Sequence, residues 1–181
     1  ACVYDQIKQV REQADLDGLT GLRTRRAFEQ DVVAAMERAK QECVPISLVV
    51  ADIDHFKAVN DVWGHQIGDR AIAQFGEIIK RTVRDCDIAG RIGGEEFALL
   101  LPHTDLAGAR DLAERLRSAL SSNTHSIHQR DVRLSASFGV ALKNADDNLA
   151  TLLMRADRHL YDAKQAGRDQ IVSDPAPPSY D

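Results

Sequence analysis

The order in which hydrophobic period changes along this chain admits few folds. Ile46 to Ile53 is an almost unbroken apolar run of strand length, as in a buried strand. Gly68 to Val83 follows, with Ile72, Phe75, Ile79 and Val83 at helical spacing. Ile88 to Ile92 is a short strand running into Gly93-Gly94, a hairpin signal, and Phe97 to Leu101 returns as the second arm. Asp105 to Leu120 predicts a helix with Leu106, Ala109, Leu112, Ala113, Leu116 and Leu120 on one face. Val132, Leu134, Ala136, Phe138, Val140 and Leu142 alternate with Arg133, Ser135, Ser137 and Lys143, which predicts a half-buried strand. The run reads β-α-β-β-α-β, a ferredoxin-like α+β core with an antiparallel central sheet. A further helix flanks it on each side. Thr24 can cap the first, which reaches about Gln41, and the second runs from about Asn148 to a stop at Gly167. In the usual strand order for this pattern, the first and third strands are central antiparallel neighbours. Asp52-Ile53-Asp54 then lies beside Gly93-Gly94-Glu95-Glu96, and carboxylates from two distant segments converge at one sheet end.

Composition narrows the partners. The 181 residues are 44% hydrophobic and 28% charged, with 23 basic against 28 acidic side chains and a formal charge of −5. That balance supports a folded domain and argues against a general nucleic-acid binder, which needs a basic face. It does not exclude a small anionic substrate, because one metal-loaded pocket can oppose the global sign. Cys2, Cys43 and Cys86 have no metal or redox spacing and read as free thiols in a reducing compartment, which leads to the expectation of a cytoplasmic domain. No apolar run approaches the ~20 residues of a membrane span, and no secretory signal opens the chain. A start at Ala1 hints at a piece of a longer protein, which could itself be membrane-tethered. Val3, Ile7, Val10 and Ala14 follow a coiled-coil rhythm. Residues 1–16 are therefore expected to end a coiled-coil helix, or else to pack as a short helix on their own domain. Residues 17–173 form the domain proper, and 174–181, rich in proline, are expected to be a disordered tail.

Asp52 closes an otherwise apolar strand, so its charge needs water, a base or a metal. Taken alone, it could be solvated, and Glu95-Glu96 could be a solvated hairpin tip. Their convergence favours hard Mg²⁺ held by carboxylate, carbonyl and phosphate oxygens, and two such ions could clamp an in-line phosphoryl displacement. Asp54 to Asp69 reads as a ligand-bearing loop. In it Lys57 offers a charge for phosphate, Asn60 is a turn former or a paired donor and acceptor, and Asp69 is a helix-dipole partner or a ligand.

At this point the motifs resemble a known family. Arg91-Ile92-Gly93-Gly94-Glu95-Glu96-Phe97 is similar to the signature of GGDEF domains, the bacterial diguanylate cyclases, in its GGEEF form. Asp17 to Arg26 resembles the family's D-x-L-T-G-L-x-N-R-R opening, with Thr24 for Asn. Asp52 to Asp69 resembles D-x-D-x-F-K-x-x-N-D-x-x-G-H-x-x-G-D, with a bulky Trp63. Ser137 to Ala141 stands where the family has S-I-G-V-A. Ala156-Asp157 and Leu160 to Asp169 resemble A-D-x-x-L-Y-x-A-K-x-x-G-R-N, with Asp169 for Asn.

The resemblance implies a palm-like nucleotidyl-cyclase fold and the condensation of two GTP into cyclic di-GMP with release of pyrophosphate. It implies that Asp52, the Ile53 carbonyl, Glu95 and Glu96 bind two Mg²⁺ per half-site, with Mn²⁺ as a possible substitute. Glu95, or a metal-bound hydroxide it supports, would help deprotonate the ribose 3′-OH. Lys57, Lys164 and Arg168 would hold the triphosphate, although basic residues at a helix C-terminus also complement its dipole. Asn60 and Asp69 would read guanine, with Phe56 and His65 shaping the pocket. Turnover would need a facing homodimer, each chain holding one GTP. Arg84-x-x-Asp87, ending five residues short of Gly93, stands where the family's inhibitory product site carries R-x-x-D, with Arg115 reaching a neighbouring chain's site. A surface salt bridge is the plain alternative. A module that binds GTP or cyclic di-GMP without turnover is the alternative function.

Overall fold

The computed structural model describes residues 14–121, 125–127 and 130–175. Among them, β1 is Arg23–Thr24, α1 Arg25–Glu42, β2 Ile46–Ile53, α2 Phe56–Trp63, α3 His65–Thr82, β3 Ile88–Arg91 and β4 Glu96–Pro102. The chain continues with α4 Leu106–Ser121, β5 His125–Ile127, β6 Arg130–Val132, β7 Ala136–Leu142, α5 Leu149–Gln165 and β8 Ile171–Ser173. Six strands form one sheet in the order β1-β3-β4-β2-β7-β8. Its four central strands have the expected ferredoxin-like order, with β2 antiparallel to both β4 and β7. The short edge strands β1 and β8, parallel to β3 and β7, extend it.

All eight residues of β2 are buried, because helices cover both faces. Its period of two divides them between separate cores. Val49, Ala51 and Ile53 join Phe97, Leu99, Phe138 and Val140 under α3 and α4. Phe75 meets Phe97 edge-on there at 4.9 Å. Ile46, Leu48 and Val50 join Ala98, Leu100 and Ala141 under α1 and α5. By the same parity Asp52 belongs to the α1 and α5 side, at the strand end.

Gly139 on β7 lets α5 approach. A Cβ there would stand 2.0 Å from the Ala156 carbonyl oxygen and 2.4 Å from the Leu160 nitrogen. Thr24 caps α1 as expected, its hydroxyl accepting from the Ala27 amide, and Asn148 caps α5.

Three expectations are corrected. The loop predicted over Asp54–Asp69 is mostly helical: α2 starts at Phe56 and α3 at His65 rather than Gly68, separated by Gly64 at φ 84°. Phe56 and Val59 turn inward and give that polar-looking segment an apolar side, so Asn60 sits in a helix and is not a turn former.

The strand predicted from Val132 divides, with β6 pairing β5 in a separate small sheet and β7 starting only at Ala136. Nor is β7 half-buried. Its polar-looking face carries Ser137, Gly139 and Ala141, small enough to lie beneath α5. Asp174, expected to open a disordered tail, is built into the domain. Its carboxylate accepts from the Leu142 amide at 2.8 Å and meets His159 at 2.9 Å and Arg155 at 3.3 Å. Val3, Ile7 and Val10 of the seam, Cys2, and residues 176–181 lie outside the described residues. No helix among the described residues is long and apolar enough to cross a membrane.

Candidate active site

Strand register brings the acidic segments together. Asp52 pairs with Glu96 across β2 and β4, and the Ile53 amide donates to the Glu95 carbonyl at 3.3 Å. The hairpin is closed by Ile92 and Gly93 amides, both donating to the Glu96 carbonyl. Asp52 is 7% exposed. Burial raises its pKa to about 6, with the charges of Glu95 and Glu96 adding to the rise, while the Lys164 hydrogen bond and charge oppose it. Lys164, in the last turn of α5, holds Asp52 Oδ2 at 2.9 Å. Asp157, two turns earlier, is also raised, by burial and then by Glu96, against Arg25 and Lys164.

This donor set suits a hard divalent ion: a desolvated carboxylate whose charge is disfavoured by two neighbouring carboxylates gains from a cation. Among the described residues, no three Asp, Glu, His or Cys side chains by themselves enclose an ion. The remaining ligands would be backbone and substrate phosphate oxygens, as is usual for Mg²⁺.

On the other side of the strand end, α2 and α3 form a polar nook. Asn60 Oδ1 is buried without a hydrogen-bond partner. Gly68 makes room for it, since a Cβ at that position would lie 1.9 Å from this oxygen and 3.1 Å from Phe56 Cζ. Asp69 follows directly and is exposed. Lys57 is exposed on the first turn of α2, and His65 is exposed as the first residue of α3. Arg168 is exposed in the turn after α5.

Three contacts that hold this end together escape the periodic reading. Arg91 donates from Nε and Nη2 to the Gly94 carbonyl, at 3.1 and 2.7 Å, and from Nη1 to the Asp17 carboxylate at 3.2 Å. Burial works against the Asp17 charge, but Thr20 and Arg91 outweigh it and hold its carboxyl below the ordinary range. Asp54 is held by protein donors. It accepts from Ser135 Oγ, Ser137 Oγ and the Asp169 amide, at 2.8, 2.7 and 3.0 Å. Arg117 on α4 donates to the carboxylate and carbonyl of Asp169. The only advance signal for these was the motif position of Asp17, Asp54, Arg91 and Asp169.

The second predicted cluster is elsewhere. Arg84 Nη2 donates to Thr104 Oγ1 at 2.7 Å, and the Asp87 carboxylate accepts from the Arg84 amide at 2.8 Å. Arg84 and Arg115 line one cavity of about 310 Å³ with His103 and Thr104, so a single chain brings the two arginines together.

Residues 14–170 match the family model described as "Diguanylate cyclase, GGDEF domain". The chain is 40% identical over 171 residues to diguanylate cyclase VdcA of Vibrio cholerae, covering 93% of this chain and 49% of VdcA. It is similar to the coiled coil and GGDEF domain of DgcB from Caulobacter crescentus, solved with c-di-GMP. That match has a TM-score of 0.90 at 32% identity, over 94% of this chain and 91% of the other. The diguanylate cyclase SiaD of Pseudomonas aeruginosa, solved with its activator SiaC, matches at a TM-score of 0.86 and 35% identity, over 94% and 65%. The chain spans about half or less of the length of the curated relatives it matches.

Proposed function

The chain belongs to the GGDEF domain family, and from that premise we propose that it is a diguanylate cyclase, joining two GTP molecules into cyclic di-GMP with release of two pyrophosphates. The observation that carries this reading is the convergence of Asp52, Lys164 and the Glu95-Glu96 hairpin at one sheet end. Relatives named diguanylate cyclases and a neighbour solved with c-di-GMP support it.

In this reading Asn60 Oδ1, buried and unpartnered, accepts from the guanine N–H edge, with Asp69 as the second acceptor. Adenine offers no matching pair of donors, and the unpartnered oxygen would make its entry costly. Phe56 and Gly68 shape the floor of the nook and His65 its rim. Lys57, Lys164 and Arg168 hold the triphosphate and offset charge developing on the leaving pyrophosphate. Lys164 also opposes the rise that burial imposes on the Asp52 pKa.

Asp52, the Ile53 carbonyl, Glu95 and Glu96 would hold Mg²⁺, or Mn²⁺ in its place, which when bound polarises the phosphates toward in-line displacement. Glu95 accepts the proton of the 3′-OH as that oxygen bonds to the α-phosphorus and the bond to the pyrophosphate oxygen breaks. One chain holds one GTP, so a facing second copy supplies the other, and two such steps close the ring. Product returning to the Arg84, Asp87 and Arg115 cluster would restrain the enzyme, since arginines grip both phosphate and the guanine Hoogsteen edge.

Incubation with GTP and Mg²⁺, with nucleotides resolved by chromatography, tests the reading. Cyclic di-GMP and pyrophosphate are expected from dimeric protein, and none from Asp52→Asn. Dimeric wild type that binds GTP and yields no cyclic product would leave the silent binding module instead.

A further inference from the structure

After α5, Gly167, Arg168 and Asp169 have φ of 118°, 64° and 47°. A left-handed backbone is unfavourable for any residue bearing a Cβ, so Arg168 is held in it by its surroundings rather than by its own preference. Those surroundings grip Asp169 from two sides. Its amide donates to Asp54 Oδ2 at 3.0 Å, and Asp54 is itself buried and fixed by Ser135 and Ser137. From α4, Arg117 Nη1 donates to Asp169 Oδ1 at 3.0 Å and to its carbonyl at 3.3 Å. The rest of the Arg117 fork is occupied by Glu114, at 3.0 Å from Nε and 2.8 Å from Nη2, so the guanidinium has a fixed orientation.

A solvated i,i+3 pair on one helix would account for Glu114 and Arg117 alone. It does not account for the second grip, which crosses 52 positions to bind both the carboxylate and the backbone of a residue at positive φ. The side chain at this position matters too. Both Asn and Asp tolerate the left-handed region, but only Asp gives Arg117 a charged partner.

We propose that Arg117 is a positioning residue: through Asp169 it fixes the left-handed turn that sets where the Arg168 guanidinium meets the substrate's phosphates. This rests on the assignment of Arg168 to the triphosphate made above. Asp54 is the second jaw of the clamp, but it adjoins Asp52 and Ile53, so Arg117 is the cleaner place to test it. Arg117 touches no reacting atom; it acts only through the turn.

The test is a mutant cycle on the whole chain, using Arg117→Ala, Arg168→Ala and the double variant. Each is read as KM and kcat for cyclic di-GMP formation, as Kd for GTP with Mg²⁺, and as melting temperature. Arg117→Ala should raise KM and Kd for GTP roughly tenfold with little change in kcat, the mark of lost ground-state binding. Arg117→Lys, which keeps the charge without the fork, should recover part of the loss.

The decisive outcome is the coupling. Once Arg168 is gone, removing Arg117 should add nothing further to KM or Kd. An unchanged Kd in Arg117→Ala, or the same factor in the Arg168→Ala background, overturns the inference. A wild type that binds GTP without making product refutes the cyclase reading, and the clamp is then scored on Kd alone. A wild type that does not bind GTP overturns both.

Discussion

Gly139→Ala perturbs the seating of α5 on the sheet without altering any polar side chain. The new methyl would point at the α5 backbone, 2.0 Å from the Ala156 oxygen and 2.4 Å from the Leu160 nitrogen. A carbon needs roughly 3.3 Å from a carbonyl oxygen, so the helix must retreat by about 1 Å or more. Neither obstacle can rotate away, because both belong to helical backbone, and the cost should lie near the top of the usual overpacking range, about 3 kcal/mol. For a domain of this size that lowers the melting temperature by about 6–12 °C. Lys164 follows Leu160 by one turn, so the same retreat opens its 2.9 Å contact with Asp52 and shifts the turn bearing Arg168. A displacement of that size typically costs about 100-fold in turnover. Thermal melts and cyclic di-GMP production, run beside Gly18→Ala, whose methyl meets open space, give the measurement. If Gly139→Ala melts within about 2 °C of wild type and turns over normally, α5 is not seated as closely as described and the link from its position to Lys164 fails.

The remaining predictions concern the two clusters directly. Burial raises Asp52 from its ordinary value near 3.8 to about 6, so the folded state holds this proton longer than the unfolded one does. The group's contribution to stability is therefore largest below about pH 4 and declines as pH rises to about 6. Ion-free Asp52→Asn should then melt above wild type at pH 7.5, match it near pH 4, and make no product; a lower melting point at pH 7.5 contradicts the assigned cause of the shift. Gly68→Ala should push the Asn60 amide out of its nook and raise KM for GTP about tenfold, while the gain in helix propensity keeps melting within a few degrees of wild type. An unchanged KM would remove Asn60 from guanine recognition. Arg84→Ala should relieve inhibition by added cyclic di-GMP and spare the initial rate, since Arg84 lines the cavity remote from the Asp52 end; undiminished inhibition places the control elsewhere.

The sheet was readable in advance because β2 and β4 are apolar runs of strand length, Gly93-Gly94 marks the hairpin from β3 to β4, and β7 alternates. That order sets Asp52-Ile53-Asp54 beside the Gly93-Gly94-Glu95-Glu96 turn, and the register of the structure then pairs Asp52 with Glu96. The α2 helix was hidden by its length: Phe56, Val59 and Trp63 stand at helical spacing, but eight residues ending at Gly64 are too short a run to tell from a loop. The polar-looking side of β7 misled for a related reason. Ser137 reads as solvent-facing, yet it lies under α5 and donates to a buried carboxylate, a partner that spacing cannot reveal.

The contacts that position the site are of that second kind. Arg91 reaches Asp17 across 74 positions, Arg117 reaches Asp169 across 52, and Asp54 gathers Ser135, Ser137 and Asp169 across still more. Each ties a charged side chain to backbone or to another polar group, and none carries a periodic signal. Apolar pattern therefore decides which strands meet, whereas these polar ties hold the hairpin of Glu95 and the turn of Arg168 in place. Substitutions at the ties should accordingly change GTP handling more than stability, and substitutions in the two cores the reverse.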